Sequence, residues 1–400
     1  MAKDVIVHGA GIVGIVTAYT ALKAGHNVII HEPHGLPAME TSHANGGQCS
    51  VSNAEVWNSW ASVMKGIKWM TKGDAPLLIN PAFDWHKYEW LARFMSNIKD
   101  YERNTQDTVR MAIRSRDLLE RIIYNHSLNV HQETRGIMHV YRSEQSLDAA
   151  RKVNEVYKST GLPSIQRRTE YDTKALGRIE PIANDGLLDD VVGGFYYADD
   201  WTADVNKFCH ELLRVMINQG VEIHKTVADN KSAVHIYCTG VARYSGPYCP
   251  VRGTTDFVRE YMIYPVKGYS ITVDNIWDNP LRPSDRPVMT APSVSILDDD
   301  NKIVSSSYDD RFRVAGTAEF NGWNKDIRMD RIEPLIQWVR TNFPRVPLSK
   351  ITPWAGLRPM RPNMLPIVEK RKDGNIVNLG HGHLGWTLSA VTAEQAVALI

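Results

Sequence analysis

The chain has 400 residues, 43% of them hydrophobic and 23% charged, with a formal net charge of +1. That length calls for more than one core, and the near-zero charge removes any polyelectrolyte argument for a nucleic-acid partner. No run approaches the ~20 consecutive apolar residues of a membrane span.

The first stretch, VIVHGAGIVGIVTAY, opens with a β-branched strand at Val5 to Val7 and continues with Gly9, Gly11 and Gly14 at G-x-G-x-x-G spacing. Such glycines allow a tight turn, approach of a pyrophosphate to the backbone, and close packing of the next helix. Ile12 to Ala24 reads as that helix, with Gly25 as its C-cap. Asn27 to His31 is a second strand ending at Glu32, where an acid is expected to bind a ribose hydroxyl. Strand, turn, helix, strand and acid in this order predict a dinucleotide site. The acid argues against a 2′-phosphate. Glycine spacing alone does not separate NAD from FAD.

Small and polar residues follow in ETSHANGGQCS, Glu40 to Ser50, which suits either a passing pyrophosphate or a plain loop. Further helices are expected over Thr105 to Asn125 and Leu147 to Ser159, with a strand at Gly136 to Tyr141 between them. GGFYYADDWTADVNKF reads as strand, turn and helix start, capped by Thr202 or Asp204. Val234 to Gly240 is an apolar strand ending in Thr239-Gly240, and Tyr261 to Phe320 alternates strands with turns as antiparallel sheet. A helix is expected over Arg331 to Phe343. The four cysteines (Cys49, Cys209, Cys238, Cys249) lie far apart, which fits a reducing compartment and no zinc site. With the first strand so close to Met1, we expect no signal peptide and a soluble, cytoplasmic protein.

Two late motifs carry chemistry. In WAGLRPMRP, Arg358 sits in an apolar, proline-bound stretch unsuited to a solvated face. A buried guanidinium needs a planar anion, so Arg358 is either a substrate carboxylate clamp or half of a structural salt bridge. In GHGHLGWT, glycines bring backbone close to some neighbour at a helix start. That neighbour is either a flat ring system carrying negative charge or simply a tightly turned strand.

Taken together, VIVHGAGIVG, ETSHANGGQ, KGIKWM, YPVKGYS, RFRVAGTAEF, WAGLRPM and GHGHLGWT resemble, nearly end to end, the FAD-dependent D-amino-acid dehydrogenases of the D-amino-acid oxidase superfamily. The resemblance implies an α/β fold: a Rossmann-like FAD domain from residues 1–88, 196–263 and 350–400, and an interleaved substrate domain from 89–195 and 264–349 with an antiparallel roof over the flavin. It implies FAD as the nucleotide, held noncovalently because Gly356 stands where covalent relatives carry cysteine. Gly9, Gly11 and Gly14 would meet the pyrophosphate, Glu32 the ribose, and Val227 the adenine. Thr41, Ser42 and Gln48 would line the FAD path, and Gly382, His383, Leu384, Gly385 and Trp386 would border the isoalloxazine. Ile12, Val13, Asn45, Thr239 and Gly240 complete the cofactor set. Arg358 would hold the substrate carboxylate, with Tyr269 and Lys302 as further pocket candidates. Tyr269 reads equally as roof packing and Lys302 as a solvated lysine. The implied reaction is oxidative deamination of D-amino acids. The alternatives are a related enzyme for glycine, sarcosine or D-hydroxyproline-type amines, and a flavin-binding protein without turnover. A quinone or protein electron acceptor, and peripheral contact with the inner membrane, would fit the same family.

Overall fold

Alternate residues of a strand face opposite sides of its sheet, and the first strand uses both faces. In the computed structural model, which describes residues 1–69, 76–226, 230, 232–242, 257–274, 276–278 and 288–400, that strand is Asp4–His8. It runs parallel between Asn27–His31 and Val234–Tyr237. Glu222–His224 and Ile376–Leu379 extend the sheet in parallel, and Ile367–Lys370 closes one edge antiparallel. Val5, Val7, Val28, Ile30 and Ile236 share one buried face with the helices Ile12–Lys23 and Gly385–Val397. A Cβ at Gly14 would lie 1.8 Å from the Gly9 carbonyl oxygen, so this crossing of helix and strand requires glycine.

The second sheet has nine strands in mixed orientation. Its long members are Tyr264–Asp274, flanked by Ile351–Met360 and Arg311–Phe320. Ile303–Tyr308, Ser295–Asp298, Ile137–Tyr141, Gly193–Tyr197 and Arg168–Tyr171 continue it, and Leu77–Ile79 adds to Arg311–Phe320 in parallel. Tyr269, Ile271 and Val273 face an apolar cluster that includes Ile332, Leu335 and Trp338 of the helix Met329–Asn342. Ser270 lies on the opposite face and donates to the Ala44 carbonyl at 2.8 Å, tying this sheet to the loop after Glu32.

The expected helices over 105–125 and 147–159 form as Tyr101–His126 and Glu144–Lys158. Asp204, rather than Thr202, caps the helix Val205–Ile217 by accepting the Lys207 amide. All six strands of the first sheet fall within the segments expected for the cofactor domain. Three strands of the second sheet depart from the expected segments: Gly193–Tyr197 crosses the boundary at 195, and Ile351–Met360 and Leu77–Ile79 lie inside the cofactor segments. Ile351–Met360 and Leu77–Ile79 belong to the second sheet, because ten consecutive residues of the former pair with Tyr264–Val273 and the latter pairs with Ala318–Phe320. We propose that the domain division follows the two sheets, which moves residues 351–360 to the substrate side. No described helix is long and apolar enough to cross a membrane.

Candidate functional site

Between the two sheets lies a cavity of about 1830 Å³. Gly9, Gly11, Ile12 and Val13 reach it from the first strand-helix turn, Thr239 and Gly240 from the end of Val234–Tyr237, and residues 382–386 from the last helix start. Both helices, Ile12–Lys23 and Gly385–Val397, begin at this cavity without a cap from their own N-cap residues, and in the first the Ile12 amide is taken by Ser42 Oγ. An uncapped helix start presents amide N–H groups and the positive end of its dipole, which favours an anion. Gly14 does not line the cavity; its place is beneath Gly9, where it packs rather than binds. Val227 lies outside the described residues.

Glu32 borders the cavity with both carboxylate oxygens engaged, one by the Ala10 amide at 2.8 Å and the other by His34 at 3.1 Å. Each oxygen keeps a second lone pair for a ligand hydroxyl. The loop after it is pinned on both sides. Ser42 Oγ accepts the Ile12 amide at 3.0 Å and Thr41 Oγ1 donates to the Leu357 carbonyl at 2.7 Å. Asn45 accepts the Gly47 amide, and Gln48 donates to Ser295 Oγ at 2.8 Å. These four side chains line the cavity while suspending the loop between the sheets. Further on, the Val51 and Ser52 amides bond to Asp200, which also meets the buried Arg116 at 3.3 Å.

The last helix start is apolar on one side and polar on the other. Trp386 meets Trp201 and Phe208 edge-on, and His383 stacks on Trp57 with ring centroids 4.6 Å apart. Burial pulls both His381 and His383 down to about 3, so each is neutral near pH 7. His383 Nε2, Trp386 Nε1 and Thr317 Oγ1 are buried without a hydrogen-bond partner among the described residues. Buried polar atoms at a cavity wall are normally satisfied, which marks this wall as one that a polar ligand completes.

Arg358 stands on the same wall. Its Nη1 donates to the Thr317 carbonyl at 2.9 Å, and no carboxylate among the described residues lies within ion-pair distance. Burial alone lowers its guanidinium to about 10, which leaves it charged at neutral pH. The salt-bridge alternative for Arg358 therefore fails among the described residues. Room for the guanidinium comes from Gly268, whose Cβ would fall 2.3–2.5 Å from its terminal atoms. The sequence reading passed over Gly268 for its neighbours, although an interior strand glycine marks a close approach. Tyr269 borders the cavity, but its ring packs in the apolar cluster and its hydroxyl donates to Glu319 at 2.9 Å. Lys302 reaches the far wall in a pair with Asp299 at 2.7 Å. Burial opposes its charge, but Asp299 outweighs that and raises the ammonium.

Other wall residues had no local signal in the sequence. Glu55 accepts from Tyr101 at 2.6 Å, and burial raises its carboxyl. Arg168 lies between the Tyr157 and Tyr197 rings, 4.0 and 4.2 Å from their centroids. Both come from segments far apart in the chain, and only the fold brings them to this cavity.

A model of the FAD dependent oxidoreductase (DAO) family matches residues 4–399. The chain belongs to that family. A protein named D-amino acid dehydrogenase 3 from Mesorhizobium japonicum is 44% identical over 412 residues, covering 99% of this chain and 96% of its own. D-amino acid dehydrogenase of Sinorhizobium medicae is 32% identical, covering 99% and 95%. Among solved structures, glycine oxidase of Geobacillus kaustophilus superposes with a TM-score of 0.70 at 15% identity, covering all of this chain and 94% of the other. At that identity the match concerns the fold. The cofactor is FAD, and the cavity suits it: two helix starts, the acid Glu32, and ring nitrogens of Trp386 and His383 without a partner among the described residues.

Gly268→Ala tests the geometry of this FAD site. The clash falls on the flexible end of Arg358 rather than on backbone, so the variant should fold and keep its flavin. A displacement of about 1 Å at a positioning group can cost on the order of a hundredfold in kcat/KM. Wild-type kcat/KM in a variant with normal flavin content would contradict the placement of Arg358 over Gly268.

Proposed function

We propose that this flavoenzyme oxidises D-amino acids to imino acids, which water hydrolyses to 2-oxo acids and ammonia. The observation that carries the reading is the half-buried, charged guanidinium of Arg358, which has no acid partner among the described residues. A carboxylate fits its planar fork through two parallel hydrogen bonds, and no other common substrate group does so as well. The names of the full-length relatives support a D-amino acid as the owner of that carboxylate.

Bound FAD supplies the two-electron oxidation by accepting the Cα hydride at N5. The chain's residues supply placement. Arg358 fixes the carboxylate, and with it the direction of the Cα–H bond. Gly9, Gly11, Ile12 and Val13 hold the pyrophosphate, Glu32 the ribose, and Gly382 to Trp386 the flavin edge. Thr41, Ser42, Asn45, Gln48, Thr239 and Gly240 shape the path between them. His381 and His383, neutral at pH 7, contribute no charge beside Arg358. Tyr269 acts through packing, and Lys302 with Asp299 forms the far wall that the substrate side chain meets.

For the electron acceptor we propose a quinone or protein met at a membrane surface. Trp60 and Met64 (65% and 62% exposed) and Phe83 and Trp85 (79% and 70%) support this, because exposed aromatic and thioether side chains favour the lipid headgroup boundary. Holoenzyme should co-sediment with liposomes, and a Trp60→Ser, Trp85→Ser double variant should not. Equal sedimentation of the two would remove this surface from the account.

The reaction itself is tested by anaerobic addition of D-amino acids to the yellow holoenzyme. Bleaching of the flavin is expected with D- but not L-enantiomers, and bleaching by glycine or sarcosine alone would overturn the assignment. Arg358→Ala should keep FAD yet lose at least a hundredfold in reduction rate, with partial recovery in Arg358→Lys. Reduction of the Arg358→Ala flavin at the wild-type rate would remove Arg358 from the mechanism.

A further inference from the structure

Beneath the dinucleotide turn, three histidines on adjacent parallel strands form a continuous chain of hydrogen bonds. His8 Nδ1 lies 3.0 Å from His31 Nδ1, and His8 Nε2 lies 2.9 Å from His235 Nδ1. At the ends, His31 Nε2 lies 3.2 Å from the Lys225 carbonyl and His235 Nε2 lies 3.1 Å from the Asn230 carbonyl. The pairing explains the alignment: His8, His31 and Tyr237 are partners in register, and His235 precedes Tyr237 by two, so all point to one face.

Counting protons gives an unexpected result. A neutral imidazole carries one N–H, so three rings supply three donors. Four contacts need four, because both ends of the chain are carbonyls, which only accept. With three protons, one contact sets two lone pairs against each other at about 3 Å. We propose that the His31–His8–His235 wire binds one excess proton near neutral pH, and that this proton locks the adenosine end of the cofactor domain.

The surroundings fit a single shared proton. Tyr237 stacks on His8 with centroids 4.5 Å apart and 11° between planes, which holds the middle ring in line with the other two. Burial sets His31 below the ordinary histidine value, and the Lys225 carbonyl and then Glu32, which follows His31 directly, oppose that by favouring its charged form. His224, in register with His31, is paired with Glu222 on the outer strand. Tyr261 shares the apolar cluster of Tyr237, and its hydroxyl donates to Glu369. Burial, then His235 and His31, push His8 far below the ordinary histidine value. The extra proton therefore resides at an end of the wire, where a carbonyl receives the second N–H, and mutual repulsion excludes a second one. The wire thus ties the Lys225 and Asn230 carbonyls to the strand Asn27–His31, which leads directly into Glu32. The link to FAD rests on the proposed placement of the cofactor; the proton count does not.

The test compares flavin-release temperature in wild-type holoenzyme and His8→Phe from pH 6 to 10. Without His8, the two remaining rings need only one N–H each for their carbonyls, so no excess proton is held. A folded-state proton affinity above the unfolded histidine value of about 6.5 gives stability that is full below that pH. It is lost as pH rises through the wire's own value. The wild-type advantage should therefore narrow by roughly 2–4 °C as pH rises above about 6.5. An advantage that grows with pH, or stays constant, would overturn the proposal. Should the variant not fold, nitrogen-15 histidine spectra of wild-type holoenzyme at pH 7 decide: four protected ring N–H groups on these three residues support it, three refute it. FAD affinity measured over the same pH range is a separate arm. Affinity unchanged while the stability advantage narrows would leave the excess proton standing and overturn its coupling to the cofactor.

Discussion

Withdrawing a guanidinium from water without a counter-ion is costly, and Arg358, half-buried and with no acid partner among the described residues, is set in an arrangement organised by that cost. Such a charge persists in a folded protein when the surrounding structure gains elsewhere or when a ligand supplies the missing partner. The fold provides one carbonyl, from Thr317, and a glycine, Gly268, that leaves space for the fork. The remaining donors face the same cavity as the unpartnered Trp386, His383 and Thr317 atoms. Deficits of this kind gathered on one wall describe the negative image of a polar, anionic ligand beside a flat ring.

The two sheets bring that wall together from opposite ends of the chain. Ile351–Met360 carries Arg358, yet it pairs with Tyr264–Asp274 rather than with the strands of the nucleotide sheet. The loop from Thr41 to Gln48 joins the sheets through Ser42 on Ile12, Thr41 on Leu357 and Gln48 on Ser295. The nucleotide turn and the strand that carries Arg358 are therefore held by one continuous set of short hydrogen bonds. In the proposed reaction, the Cα of the substrate is placed by Arg358 together with this frame.

Much of this was legible in the sequence because it is local. Strand, glycine turn, helix and Glu32 lie within 32 residues, and backbone geometry alone fixes their order. The identity of Arg358 as a buried charge was legible from its apolar neighbours. Its lack of an acid was not, since an ion pair is decided by whichever segment the fold brings near. In YPVKGYS the alternation of side chains decides between the two readings of Tyr269: its ring packs in the apolar cluster, and Gly268 beside it faces the Arg358 guanidinium. Gly14 belongs to the fingerprint pattern yet packs instead of lining the site. The histidine wire had no signal in one dimension, because His8, His31 and His235 meet only through the register of three parallel strands.

Direct observation of the clamp would come from a crystal structure of the holoenzyme with 2-aminoisobutyrate, which has the carboxylate and amine of a substrate but no Cα hydrogen to lose. Both carboxylate oxygens should lie within hydrogen-bond distance of the Arg358 terminal nitrogens, with the guanidinium still over Gly268. A carboxylate bound elsewhere in the cavity, or an Arg358 turned to a protein acid, would contradict the account.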